Sequence, residues 1–215
     1  MLFVVGYHAS GKSYFAQMLE RQYGALHIET SAVVRAFKLL DAPDASIVAW
    51  AQAKEAEFGA NFFDEIIVSA VRDRYLTEIE QGITPTEVVI SGNRSLGGIQ
   101  YIAEHLRGID ERQAKIFAVE VSEDTRYERF QKRDRREGDA TMPLEEFQKL
   151  IKEEQNTGID EIFLHADMII SNNGTETEFR GLSTLIAEHE LKLKRYNDEG
   201  EYIHIYNEGN REQRR

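Results

Sequence analysis

The chain has 215 residues, a net charge of −12 and no cysteine, with 41% apolar and 30% charged residues. That composition suits one soluble globular domain and excludes a disulfide framework or a thiolate metal site; the acidity argues against an extended nucleic-acid track, though not against a local phosphate site. No apolar run approaches the roughly 20 residues that cross a bilayer, and the apolar opening is too short, and lacks the basic flank, for a secretion signal, so a cytoplasmic protein without a membrane partner is expected.

Taken in chain order, apolar runs alternate with amphipathic stretches. Leu2–Val5 reads as a buried strand, and residues 13–23 as a helix with Phe15, Met18, Leu19 and Tyr23 on one face. Leu26–Glu29 is a short strand, after which Thr30 is placed to cap a helix carrying Val33, Val34 and Phe37. Pro43 and Asp44 open a further helix toward Phe58, Gly59 breaks it, and a long helix follows over 61–80. Residues 82–85 are a turn, 87–91 a strand and 96–106 a helix. Residues 115–121 form the fourth strand, Ser122 caps the next helix, and Leu144–Gln155 is helical. Met168–Ser171 is the fifth strand and residues 175–189 the closing helix. Short, continuously apolar strands separated by helices predict a parallel sheet covered on both faces by right-handed crossovers.

The segment Gly6-Tyr7-His8-Ala9-Ser10-Gly11-Lys12-Ser13 matches G-x-x-x-x-G-K-[ST] between a predicted strand and a predicted helix. Glycines at both ends let the backbone aim successive N–H groups at one anion, and the helix start adds partial positive charge. Lys12 would reach the β- and γ-phosphates and the Ser13 hydroxyl would ligate Mg²⁺. ATP with Mg²⁺ is therefore the expected ligand, cradled by Gly6, His8, Ala9, Ser10, Gly11, Lys12, Ser13 and Tyr14.

Residues 122–139 hold Arg126, Arg129, Lys132, Arg133, Arg135 and Arg136 among six carboxylates. Arg126, Arg129 and Arg133 recur at helical spacing. They read either as phosphate clamps on a closing lid or as a solvated helix laced with ion pairs. Residues 138–143 make a hinge-like break. From about residue 192 the chain is highly polar, with Tyr202, Ile203, Ile205 and Tyr206 as the one strand-like stretch. The expected division is a domain over 1–190, with a lid inserted at about 122–160, and a tail over 191–215.

These segments, with VVISGNRS in the middle of the chain and MIISNNGT near its end, resemble the P-loop nucleoside monophosphate kinase superfamily. Within it they are most similar to the dephospho-coenzyme A kinase and archaeal adenylate-kinase-like branch. The resemblance implies a three-layer α/β/α fold with a five-stranded parallel sheet of order 2-3-1-4-5 and a helical lid. It implies phosphoryl transfer from ATP to a small nucleotide or nucleotide-like acceptor. Arg35 and Arg94 would bind the acceptor's phosphate, Arg129 and Arg133 the transferred phosphate, and Asn173 and Gly174 would lie near the adenine.

Three departures qualify it. Ser91 stands where the branch has an aspartate that organises the magnesium shell, leaving Glu29 as the candidate carboxylate, or as a base for a hydroxyl acceptor. Ala32 stands near an expected acceptor-binding aspartate. His8 is unusual inside the loop and is expected to point to solvent. Other readings are a kinase acting on a hydroxyl of a modified nucleotide, of dephospho-coenzyme A or of a polynucleotide held by Arg35, Arg72, Arg74 and Arg94, and a non-enzymatic nucleotide sensor.

Overall fold

Strands that are largely apolar need cover on both faces, and the central strands are built that way. The structure, a computed structural model, describes residues 1–110, 112–132 and 141–195. Strands β1 (Leu2–Val5), β2 (Leu26–Glu29), β3 (Val88–Ser91), β4 (Lys115–Glu120) and β5 (Met168–Ser171) form one parallel sheet in the order β2-β3-β1-β4-β5. This is the expected topology. Nine α-helices are described: α1 (Lys12–Tyr23), α2 (Thr30–Asp41), α3 (Ile47–Phe58), α4 (Phe62–Glu80), α5 (Leu96–His105), α6 (Glu123–Gln131), α7 (Leu144–Gln155), α8 (Ile159–Leu164) and α9 (Glu176–Leu185).

Alternation along the strands divides the core into two layers. Phe3, Val5, Ile28, Ile90 and Ala118 face Ile67 and Val71 of α4, Ile99 and Ile102 of α5, and Ile162 of α8. Leu2, Val4, Val89, Phe117 and Val119 face Phe15 and Leu19 of α1 and Phe179 of α9. A third, smaller cluster joins Ala9 to Phe130 of α6 and to Phe147 and Ile151 of α7. It fastens the α6–α7 pair to the loop after β1.

The element ends differ from the sequence reading in instructive ways. Ser122 and Thr175 cap α6 and α9 with their hydroxyls, the latter in a capping box with Glu178. Thr30 does not cap α2; Glu29 holds that place without a side-chain bond, and Thr30 is already helical. The helix expected from Pro43 starts at Ile47. The closing helix ends at Leu185 and continues as a π-turn, Ile186–Glu190. Helix α8 is too short for periodicity to reveal. Arg133 and the strand-like stretch at 202–206 lie outside the described residues.

Phe147 is fully buried in the small cluster. Phe147→Ala is expected to cost about 3–5 kcal/mol, the usual loss for an emptied aromatic site, read as a fall in ΔG of urea unfolding.

Candidate active site

At the carboxyl ends of β1, β2 and β3 the sheet opens into a cavity of about 570 Å³, within the range of small-molecule sites. It lies at the sheet's switch point, where the connection leaving β1 runs toward β2 and the one leaving its neighbour β3 runs the other way, to β4. Gly6 and residues His8 to Tyr14 form its floor. Glu29, Ser31 and Arg35 line one side; Gly92, Asn93 and Arg94 follow from the end of β3. Phe130, Leu150, Glu154 and Ile159 close it from α6, α7 and α8.

The loop's shape is held from beneath. Gly11 takes φ 95°, a left-handed conformation suited to glycine. A Cβ on Gly6 would stand 2.5 Å from Ser10 Oγ and 2.7 Å from the Val119 carbonyl; a Cβ on Gly11 would collide with Asn172 Nδ2. That amide donates to the Ser10 carbonyl at 2.8 Å, clamping the loop to the end of β5. Ala9 is also left-handed, at φ 63°, at a cost of roughly 1–2 kcal/mol for a residue with a Cβ. Burial of its methyl among Phe130, Phe147 and Ile151 offsets part of that. Lys12 Nζ donates to the Tyr7 carbonyl at 3.2 Å.

Glu154 on α7 ties the loop through polar contacts. Its Oε2 accepts the His8 main-chain N–H at 2.9 Å, and Oε1 lies 2.5 Å from His8 Nδ1, a close polar contact rather than a well-angled hydrogen bond. The His8 ring thus turns onto α7 and is only 25% exposed, instead of pointing to solvent. Burial pushes the Glu154 carboxyl up, but the His8 ring, the His8 amide and Lys12 together carry it below the ordinary glutamate value. Tyr7 makes a short hydrogen bond to Asp160 of α8; burial first, then that carboxylate, raises its phenol. The buried Arg126 guanidinium stacks over the Tyr7 ring at 4.7 Å.

The other expected residues fall in two groups. Glu29, Arg35 and Arg94 line the cavity with the loop; Glu29 Oε1 accepts from the Ser31 hydroxyl at 3.0 Å. Arg129 instead donates to Asn172 Oδ1 at 3.4 Å and to the Gly174 carbonyl at 3.1 Å, outside the cavity lining. Asn173 Oδ1 accepts from the Ser122 N–H, so Asn173 and Gly174 serve here to join β5's end to α6. Tyr14 packs against Phe179 and accepts from Arg180. Arg72 and Arg74 bond to the His105 carbonyl and to Glu78 and Glu20. Ser91 is fully buried and bonded to His27 Nε2 at 2.8 Å; burial lowers the affinity of His27 for a proton despite Glu20 and Glu29 nearby.

Sequence reasoning missed Asn93, Asn172 and Glu154. Asn93 and Asn172 directly follow or lie two beyond strand ends, where ligands gather in such sheets, and that was the available signal. Glu154 looked like one carboxylate among many on α7.

Because the folded-state Glu154 titrates below an unfolded glutamate (about 4.3), its stabilising effect is complete above that value and fades as pH falls through the folded value. Wild type should therefore lose more urea stability than Glu154→Gln between about pH 6 and pH 3.5, with the two curves converging in acid.

Comparison with solved structures returns the same architecture. Shikimate kinase from Bacteroides thetaiotaomicron aligns at 14% identity over 87% of this chain and 96% of its own, with a TM-score of 0.50. Shikimate kinase from Acinetobacter baumannii in complex with shikimate (15% identity, 89% and 92% coverage, TM-score 0.47) and a sugar kinase from Janibacter sp. (12%, 88% and 96%, 0.48) also align. At 14% identity the first of these shows a likeness of fold alone. No curated protein matches the sequence. A family model described as an AAA domain matches residues 1–155, and the chain belongs to that family.

Proposed function

We propose that the protein transfers the γ-phosphoryl group of ATP to a small, anionic, nucleotide-like acceptor. The observation that carries this reading is one shared cavity: the phosphate loop forms its floor, and two arginines, Arg35 and Arg94, line its wall. A nucleotide sensor needs the floor only. Arginine is suited to a second anion, because its planar fork bonds two oxygens and stays charged.

The residues fit a magnesium triphosphate. The loop's left-handed turns at Ala9 and Gly11 aim main-chain amides inward, and α1 begins at Lys12 with its free amide ends toward the cavity. Ser13 and Glu29 are the oxygen ligands on the cavity wall suited to magnesium, which takes one or two protein oxygens beside phosphates and water. Bound there, the metal would neutralise charge on the β- and γ-oxygens. Lys12 would reach the same oxygens after leaving the Tyr7 carbonyl. Helices α6–α8 would exclude water and so limit hydrolysis. Positioning and electrostatics would then supply the rate. Arg129 would act by holding Asn172, and so the loop, in place.

Two outcomes test the reading. Lys12→Met should lower kcat/KM for transfer by about 10²-fold or more, the scale for removing one preorganised charge donor, with an unchanged circular dichroism spectrum. Arg94→Ala should raise the acceptor KM by about 10–100-fold, as for a lost charge-assisted hydrogen bond, while the Kd of a non-hydrolysable ATP analogue, by calorimetry, stays the same.

A further inference from the structure

Two polar groups on the cavity wall have no task in the scheme above. The first is the His8 ring. Glu154 lies 2.5 Å from its Nδ1, and Glu154 itself is only 4% exposed. The contacts from His8 and Lys12 that outweigh burial keep this carboxylate ionised near neutrality. An ionised carboxylate against Nδ1 favours the tautomer that carries its proton there. Nε2 then keeps its lone pair; no hydrogen bond uses Nε2 among the described residues, His8 is one of the cavity's lining residues, and its side chain is 25% exposed. The second group is Asn93, whose Oδ1 is buried without a hydrogen-bond partner among the described residues and which lines the same cavity. A buried carbonyl oxygen wants a donor. Fully ionised phosphate oxygens offer none; a hydroxyl does.

We propose that the group phosphorylated is a hydroxyl on an anionic small molecule, and that His8 is the catalytic base that takes its proton. This rests on the kinase reading and narrows it. Asn93 Oδ1 accepts a hydrogen bond from a donor group of the bound acceptor, while Arg35 and Arg94 hold its anionic group. The attacked hydroxyl loses its proton to His8 Nε2. Its oxygen bonds to the γ-phosphorus as the bond from that phosphorus to the β–γ bridging oxygen breaks, and the electron pair leaves on ADP. The imidazolium then returns the proton to solvent. Glu154 is a positioning residue that fixes the tautomer. The charged groups around the ring are Glu154 from α7, Lys12 from the loop, Glu29 from β2, Arg35 from α2 and Arg94 after β3, with Arg126 of α6 acting on Glu154 from behind.

The test takes the full chain with Mg²⁺, ATP and each of the four common nucleoside 5′-monophosphates, which offer both a phosphate and sugar hydroxyls. ³¹P NMR separates a phosphomonoester product from a diphosphate. The expected product is the monoester. His8→Ala, and His8→Asn, which keeps a donor toward Glu154, should each lower kcat by about 10²-fold, the lower end for general-base catalysis, without changing the Kd of a non-hydrolysable ATP analogue. Added imidazole should restore the His8→Ala rate, and more so as pH rises and free base accumulates. If none of the four nucleotides accepts, ATP hydrolysis, with water in place of the hydroxyl, is the rate compared. Apart from turnover, ¹⁵N NMR of the ligand-free protein should show the neutral His8 ring protonated on Nδ1, and Glu154→Gln should abolish that preference. Diphosphate formed, or ATP hydrolysed, at an undiminished rate by the His8 variants would overturn the proposal, as would an Nε2-protonated ring in wild type. Failure of the wild type to bind the ATP analogue would instead sink the kinase reading itself.

Discussion

An anion-binding loop must keep several of its amides for the ligand, so it cannot hold its shape only by the hydrogen bonds that shape a helix or a strand. Everything around residues 6–13 answers that constraint. Asn172 grips the Ser10 carbonyl from the end of β5. The Val119 carbonyl and Ser10 hydroxyl crowd Gly6 so closely that only glycine fits. From above, the α6–α7 cluster presses on Ala9, and Glu154 takes the His8 amide. The sheet order brings these supports together, because β5 and α7 reach the first loop only once β4 has been laid beside β1.

The chain is strongly acidic, yet the cavity gathers Lys12, Arg35 and Arg94 on its walls. Net charge therefore says little about the local field. Within the cavity, each carboxylate has a partner: Glu29 takes the Ser31 hydroxyl and Glu154 takes His8. The division gives the site a floor suited to phosphate and a wall suited to a second anion. The proposed base stands beside the floor, on the α7 side.

Most of the fold was legible because its signals are local. Continuous apolar runs such as those of β1 and β3 announce a parallel sheet, and the spacing from Gly6 to Ser13 announces the phosphate loop. What could not be read was which distant groups the topology presses against that loop. Asn173 and Gly174 looked like the ligand-facing pair, yet Asn172, one residue earlier, is the one beneath Ser10. Sequence spacing cannot choose between neighbours that point to opposite sides of a strand end. Arg129 shows the same limit: its helical register is right, but its guanidinium reaches the β5 loop. Glu154 was hidden among the acidic residues of α7, and only its burial sets it apart.

The buried contact between Ser91 and His27 ties two adjacent strands through side chains alone. An aspartate in place of Ser91 at the end of β3 would set a new anion directly against that imidazole, with Glu20 on its other side. The ring would then draw in a proton, and a neutral contact between β2 and β3 would become a partly buried array of three charges.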